Sequence, residues 1–160
     1  MAETVAMSIE ITLSELRRGE RGSVLAPIWI SLQGAEFPMA DWWDFPVVVL
    51  SALAAGVVKV GGEGAPDARC HFLDGPFHLR LQRSVGGVIR IAGVDTGPSD
   101  SGTVLGTVEV RWDHLARKTE DAAARLLEEC SRRHWDSPDI NAVKLSLESL
   151  RAARRVRGPN

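Results

Sequence analysis

The sequence predicts an α+β fold: a mostly antiparallel sheet of about six strands, in the order ββαββββαα, with the helices packed on one face. Three observations predict it. Two regions, residues 5–33 and 69–112, alternate apolar and polar positions with a period of two, as half-buried strands do. Between them lies a run rich in Ala, Val and Leu with no such alternation, and from Asp113 onward the apolar spacing becomes helical. At 160 residues the chain is expected to form one domain, residues 1–157, with residues 151–160 as a basic C-terminal tail that is partly flexible.

The first strand is read from Val5, Met7, Ile9, Ile11 and Leu13, which alternate with Ala6, Ser8, Glu10 and Thr12. A polar connection follows, broken by Gly19 and Gly22. In the second strand Val24, Ala26, Ile28, Ile30 and Leu32 alternate with Trp29, Ser31 and Gln33. Its Pro27 cannot donate a ladder hydrogen bond, which argues for an edge position or a bulge. Val47 to Lys59 is expected to be helical, with Asp44 at the N-cap and Pro46 in the first turn. The three β-branched residues Val47, Val48 and Val49 leave a buried strand open over its first half.

Asp74-Gly75 predicts a hairpin joining Arg69–Leu73 to Phe77–Arg83. A second turn at Val85-Gly86-Gly87 leads into Val88–Val94, and an exposed loop from Thr96 to Gly102 precedes a last strand marked by Val104, Val108, Val110 and Trp112. Leu115, Ala122, Ala123, Leu126, Leu127 and Cys130 form the apolar stripe of a helix reaching about His134. Ser137-Pro138 starts another, carried by Ile140, Val143, Leu147 and Leu150.

Composition narrows the function classes. An apolar fraction of 44% and a charged fraction of 25% are those of a folded globular chain, outside the range of disordered ones. Met1 to Leu13 lacks a basic start before an apolar stretch, so no secretory signal is expected. The longest apolar run, Pro46 to Val60, is interrupted by Ser51, Gly56 and Lys59 and is shorter than the ~20 residues that span a bilayer. A cytoplasmic protein is therefore expected, with no membrane partner. Cys70 and Cys130 are read as buried, reduced thiols.

Residues 1–110 carry a balance of −5 and residues 111–160 one of +3, an asymmetry that bears on partners rather than on fold. The C-terminal arginines, Arg151 to Arg157, lack interleaved aromatics and sit where a helix dipole favours cations, so nucleic acid is not the expected partner.

Catalytic patterns are missing from the sequence. Gly61-Gly62-x-Gly64 precedes a strand and has no helix N-terminus to reinforce phosphate binding. Neither a nucleophile elbow nor a zincin helix occurs. His71 and His78 flank the Asp74-Gly75 turn and pairing could bring them together. They lack a third ligand, and are read as two surface-facing strand histidines. The expectation is no catalytic residue, no cofactor and no metal.

One stretch differs in kind. Glu36 to Pro46, E-F-P-M-A-D-W-W-D-F-P, gathers two tryptophans, two phenylalanines and three carboxylates. Phe37, Phe45 and one tryptophan are expected in the core. Two consecutive tryptophans cannot both point inward, so Trp42 or Trp43 is expected to be partly exposed beside Asp41 and Asp44, the composition of a binding hot spot. Glu36, Asp41, Trp42, Trp43 and Asp44 are the candidate contact residues. The alternative contact is the helix-free face of the sheet, formed by His78, Arg80, Gln82, Arg90, Glu109 and Arg111.

F-P-x-x-x-W-W-D-F-P-V-V-V-L, Phe37 to Leu50, and H-F-L-D-G-P-F-H-L, His71 to Leu79, resemble paired motifs of small bacterial proteins encoded beside polymorphic or contact-delivered toxins. That resemblance implies an immunity protein, which neutralises its cognate toxin by tight stoichiometric binding, commonly over the toxin's active site. It carries no toxin-contact residue over to this chain. A small-molecule or regulatory binding domain, with a pocket between sheet and helices, is the competing expectation. An enzyme built on His71, His78 and Asp74 is a weaker third.

Overall fold

The computed structural model describes residues 6–62, 65–98 and 102–158. Val5, Gly64, the tip of the Thr96–Gly102 loop and the last two residues of the tail lie outside them. In chain order the elements are β1 (Met7–Ile11), β2 (Arg17–Arg18), β3 (Val24–Leu32), β4 (Ala35–Phe37), β5 (Trp43–Asp44), α1 (Pro46–Gly61), β6 (Asp67–His71), β7 (Phe77–Arg83), β8 (Val88–Asp95), β9 (Thr103–Arg111), α2 (Trp112–Arg132) and α3 (Pro138–Arg157). The α+β class and the antiparallel pairing are as expected. The single sheet is not: the strands form two antiparallel sheets, one of five strands around β3 and one of four in the order β6-β7-β8-β9.

The extra strands arise from backbone conformations that composition hides. Gln33 and Gly34 both take positive φ, the geometry of a tight hairpin turn, so the chain folds back and β4 pairs with the end of β3. Asn-Gly would have announced that turn; Gln-Gly does not. Pro27 also departs from expectation, because it lies in the central strand rather than on an edge. The neighbouring strand breaks beside it instead: β1 pairs with β3 as far as Ile28, β2 resumes at Leu25, and a 3-10 turn over Leu13–Glu15 fills the gap. Pro27 still contributes its carbonyl, which accepts from the Thr12 amide at 3.1 Å.

Val47 to Lys59 is wholly helical, within α1. Its N-cap is Phe45 and not Asp44, whose carboxylate is engaged elsewhere. Trp112 opens α2 rather than closing the last strand, and its indole is buried where it donates to the Val57 carbonyl at 2.8 Å. Gly61 leaves room for that ring, and the Arg157 guanidinium stacks over it at 4.3 Å. α1 and α2 cover the buried faces of both sheets, and α3 packs on the two helices as an outer layer. Gly56 lets α1 close on the second sheet, since a side chain there would meet the Cys70 sulfur at 2.7 Å. Both cysteines are buried free thiols, and burial pushes Cys70 up to about 12.

Arg151–Arg157 form the last turns of α3. Glu120 of α2 accepts from Arg151 at 3.0 Å and from the Arg154 guanidinium, which fastens α3 to α2. Burial alone would raise the Glu120 carboxyl, but hydrogen bonds and charge from Arg154 and Arg151 outweigh it and hold it below the ordinary 4.5. A depressed folded value gives stability that is present above the unfolded pKa and lost as pH falls through the folded one. Wild type is therefore expected to exceed Glu120→Gln in stability above pH 4.5, with the gap closing in acid. A gap in urea midpoints that stays constant with pH would contradict this account.

Candidate partner-binding surface

Alternation in β3 sends Ala26, Ile28, Ile30 and Leu32 into the core and leaves Leu25, Pro27, Trp29 and Ser31 on the other face. Register then fixes what surrounds them. Arg17 lies opposite Leu25, Trp43 opposite Pro27, Glu10 opposite Trp29, and both Ser8 and Glu36 opposite Ser31. Residues directly opposite share a face, and diagonal positions lie within reach of aromatic side chains. Trp29 and Trp43 thus sit diagonally across Pro27, with Glu10, Glu36 and Arg17 around them.

Trp43 is 37% exposed and Trp29 half-buried. The Arg17 guanidinium lies 4.8 Å from the Trp43 ring, which pre-orders the indole through a cation–π contact. Asp41 is exposed in the turn before β5, at a φ of 59°.

The five candidate contact residues separate into two groups. Glu36, Asp41 and Trp43 are exposed. Trp42 and Asp44 are corrected, because alternation along β5 turns Asp44 away from Trp43 and into the protein, where it is 1% exposed. Its Oδ1 accepts from the amides of Phe45 at 2.7 Å and Leu73 at 3.2 Å. Its Oδ2 accepts from the Asp74 amide and the Trp42 indole, both at 3.1 Å. Trp42 packs edge-on against Phe77 with ring centroids 5.1 Å apart, and Phe37 meets Phe72 and Phe77 in the same manner. The segment 37–50 and the turn 71–79 are therefore one packed unit centred on the Asp44 carboxylate.

Three residues of this surface were not among the sequence candidates: Glu10, Arg17 and Trp29. Trp29 carried a signal, since it alternates with Ile28 and Ile30. Arg17 carried none, as its place depends on the broken strand beside Pro27.

The six residues of the alternative face do share one side of β7, β8 and β9. Gln82, Arg90 and Glu109 are consecutive cross-strand neighbours, and Arg111 lies opposite Val88. Arg90, Glu109 and Arg111 are exposed, and Arg80 and Gln82 half-buried. His78 corrects the sequence reading. It is 4% exposed rather than surface-facing, opposite an exposed His71 with ring centroids 5.2 Å apart. Burial first, then the charges of His71, Arg69 and Arg80, hold its pKa below the ordinary 6.5. Among the described residues no third His, Cys, Asp or Glu joins the pair in a metal-holding group.

Compared with known proteins, the chain matches no family model, no curated protein and no solved structure at a significant level. Among the described residues no helix is long and apolar enough to cross a membrane.

Proposed function

We propose that this chain acts by stoichiometric binding to another protein through the outer face of its first sheet, and that the partner is a cognate bacterial toxin, which it neutralises in the cytoplasm by covering the active site. The observation that carries the binding reading is Trp43, an exposed indole sharing a face with Trp29 and rimmed by Glu10 and Glu36, with Asp41 exposed in the adjoining turn. Aromatic anchors within a charged rim are the composition of interface hot spots. The toxin as partner rests on the resemblance of Phe37–Leu50 and His71–Leu79 to immunity-protein motifs.

Carboxylates around the indoles would be drawn to a basic enzyme cleft, raising the association rate and fixing orientation, while the indole governs dissociation. Trp43→Ala is therefore expected to raise the off-rate by a factor on the order of 30, about 2 kcal/mol, with an unchanged melting temperature. Glu36→Lys should instead slow association, and less so in high salt. Glu36 is the cleaner charge probe, since Asp41 holds a left-handed backbone that lysine adopts less readily. Surface plasmon resonance against the toxin encoded beside this gene, with co-expression to score growth, provides the test. Wild-type kinetics in Trp43→Ala, Trp29→Ala and Glu36→Lys would move the interface elsewhere. Failure of the protein to bind that toxin or to restore growth would remove the immunity reading.

A further inference from the structure

The open face of the second sheet carries a group of side chains that the partner surface does not use. Arg69 lies directly opposite Arg80, and His71 directly opposite His78, so two like-charged or chargeable cross-strand pairs sit side by side on β6 and β7. Like charges in directly opposed positions destabilise a sheet. Nothing nearby offsets them by pairing: the ion pairs found among the described residues join α2, α3 and Arg133 at the end of α2. Along the strands the nearest carboxylate is Asp67, two residues before Arg69 and opposite Gln82; Glu109 faces Arg90. On β8 the neighbours of Arg80 and His78 are the uncharged Ala92 and Val94.

A second observation is independent of the charge pattern. His78 is almost fully buried, and its Nδ1 has no hydrogen-bond partner. Buried polar atoms are nearly always satisfied, and an exception points to a function or to a ligand.

We propose that Arg69, His71, His78 and Arg80 form a binding site for a phosphate monoester or free phosphate. A tetrahedral dianion can accept from two guanidinium forks and an imidazole at once. A metal ion would meet two imidazoles and two repelling guanidiniums. Arg69 and His71 are exposed, and the His71 ring lies against His78 with centroids 5.2 Å apart. The groups facing His78 are His71 and Arg69 on β6 and Arg80 on β7, with Val94 on β8 contributing no charge. Burial, and then these neighbours, disfavour the protonated ring. A bound dianion reverses the balance and draws a proton onto it.

The test is a calorimetric titration of the full chain with inorganic phosphate at pH 6 and pH 8, with His78 followed by NMR. O-phosphoserine and adenosine monophosphate run in parallel separate a phosphorylated amino acid from a nucleotide as the source of the group. Saturable binding with a shift of the His78 resonances is expected. Arg69→Gln and Arg80→Gln should each weaken it about tenfold, and Arg90→Gln, farther along the same face, should leave it unchanged. Arg69 is exposed, so its variant remains informative if His78→Gln does not fold. Absence of saturation, an equal loss in Arg90→Gln, or a His78 response to zinc and none to phosphate would overturn the proposal.

Discussion

Asp44→Ala is expected to lower the unfolding free energy by about 4 kcal/mol, more than any surface substitution in this chain. The carboxylate is 1% exposed and accepts four hydrogen bonds, three from backbone amides and one from an indole. A hydrogen bond to a charged acceptor contributes roughly 1.5–3 kcal/mol, and four sharing one carboxylate do not add in full. Alanine would leave the amides of Leu73 and Asp74 without an acceptor at the point where the β6–β7 turn meets the segment before α1. For a chain of this size the melting temperature should fall by about 8–16 °C. Asp44→Asn tests the mechanism more narrowly. It keeps the shape, but turns an amide NH2 toward groups that are themselves donors, and should lose about half as much. Urea denaturation decides between outcomes, and a loss under 1 kcal/mol for Asp44→Ala would show that the turn is held by ring packing alone.

The same carboxylate shows where sequence reading stopped. Period-two alternation located the long strands, and Ser137-Pro138 located α3, with the Ser137 hydroxyl accepting from the Ile140 amide at 3.2 Å. These signals are local, so they survive without knowledge of the fold. An acid placed just before an apolar helical run also reads locally as an N-cap. The true partners of Asp44 lie about thirty residues away across the turn, and no spacing rule connects them. Trp42 and Trp43 do differ, one half-buried against Phe77 and the other exposed. Which was which depended on β5, a two-residue strand with too few positions to show a period. His78 was misplaced for another reason: it sits on the polar face of a strand, and alternation does not show how far neighbouring side chains cover that face.

The division into two sheets was the larger omission, and its cause is steric. Gly93 and Gly106 are opposite one another on the inner face of β8 and β9, and β4 is laid against them. A Cβ at Gly93 would stand 2.5 Å from Cδ2 of Phe37, and one at Gly106 would stand 2.9 Å from the Ala35 Cβ. In a linear reading these two residues are merely weak points in strands.

Gly93→Ala is consequently expected to cost about 1–3 kcal/mol by overpacking, although its backbone is compatible with alanine. Phe37→Ala should cost about 4 kcal/mol, since it removes a fully buried ring that touches both Phe72 and Phe77. It also removes Cγ, Cδ2 and Cε2, the three atoms that an added methyl at position 93 would meet. The double variant Phe37→Ala with Gly93→Ala should therefore be more stable than the sum of its parts by at least about 1 kcal/mol. The four proteins of this cycle, compared by urea unfolding, test whether the ring and the glycine hold the two sheets together. Additive losses would mean that the sheets are positioned by the helices, and that Phe37 only fills space between them.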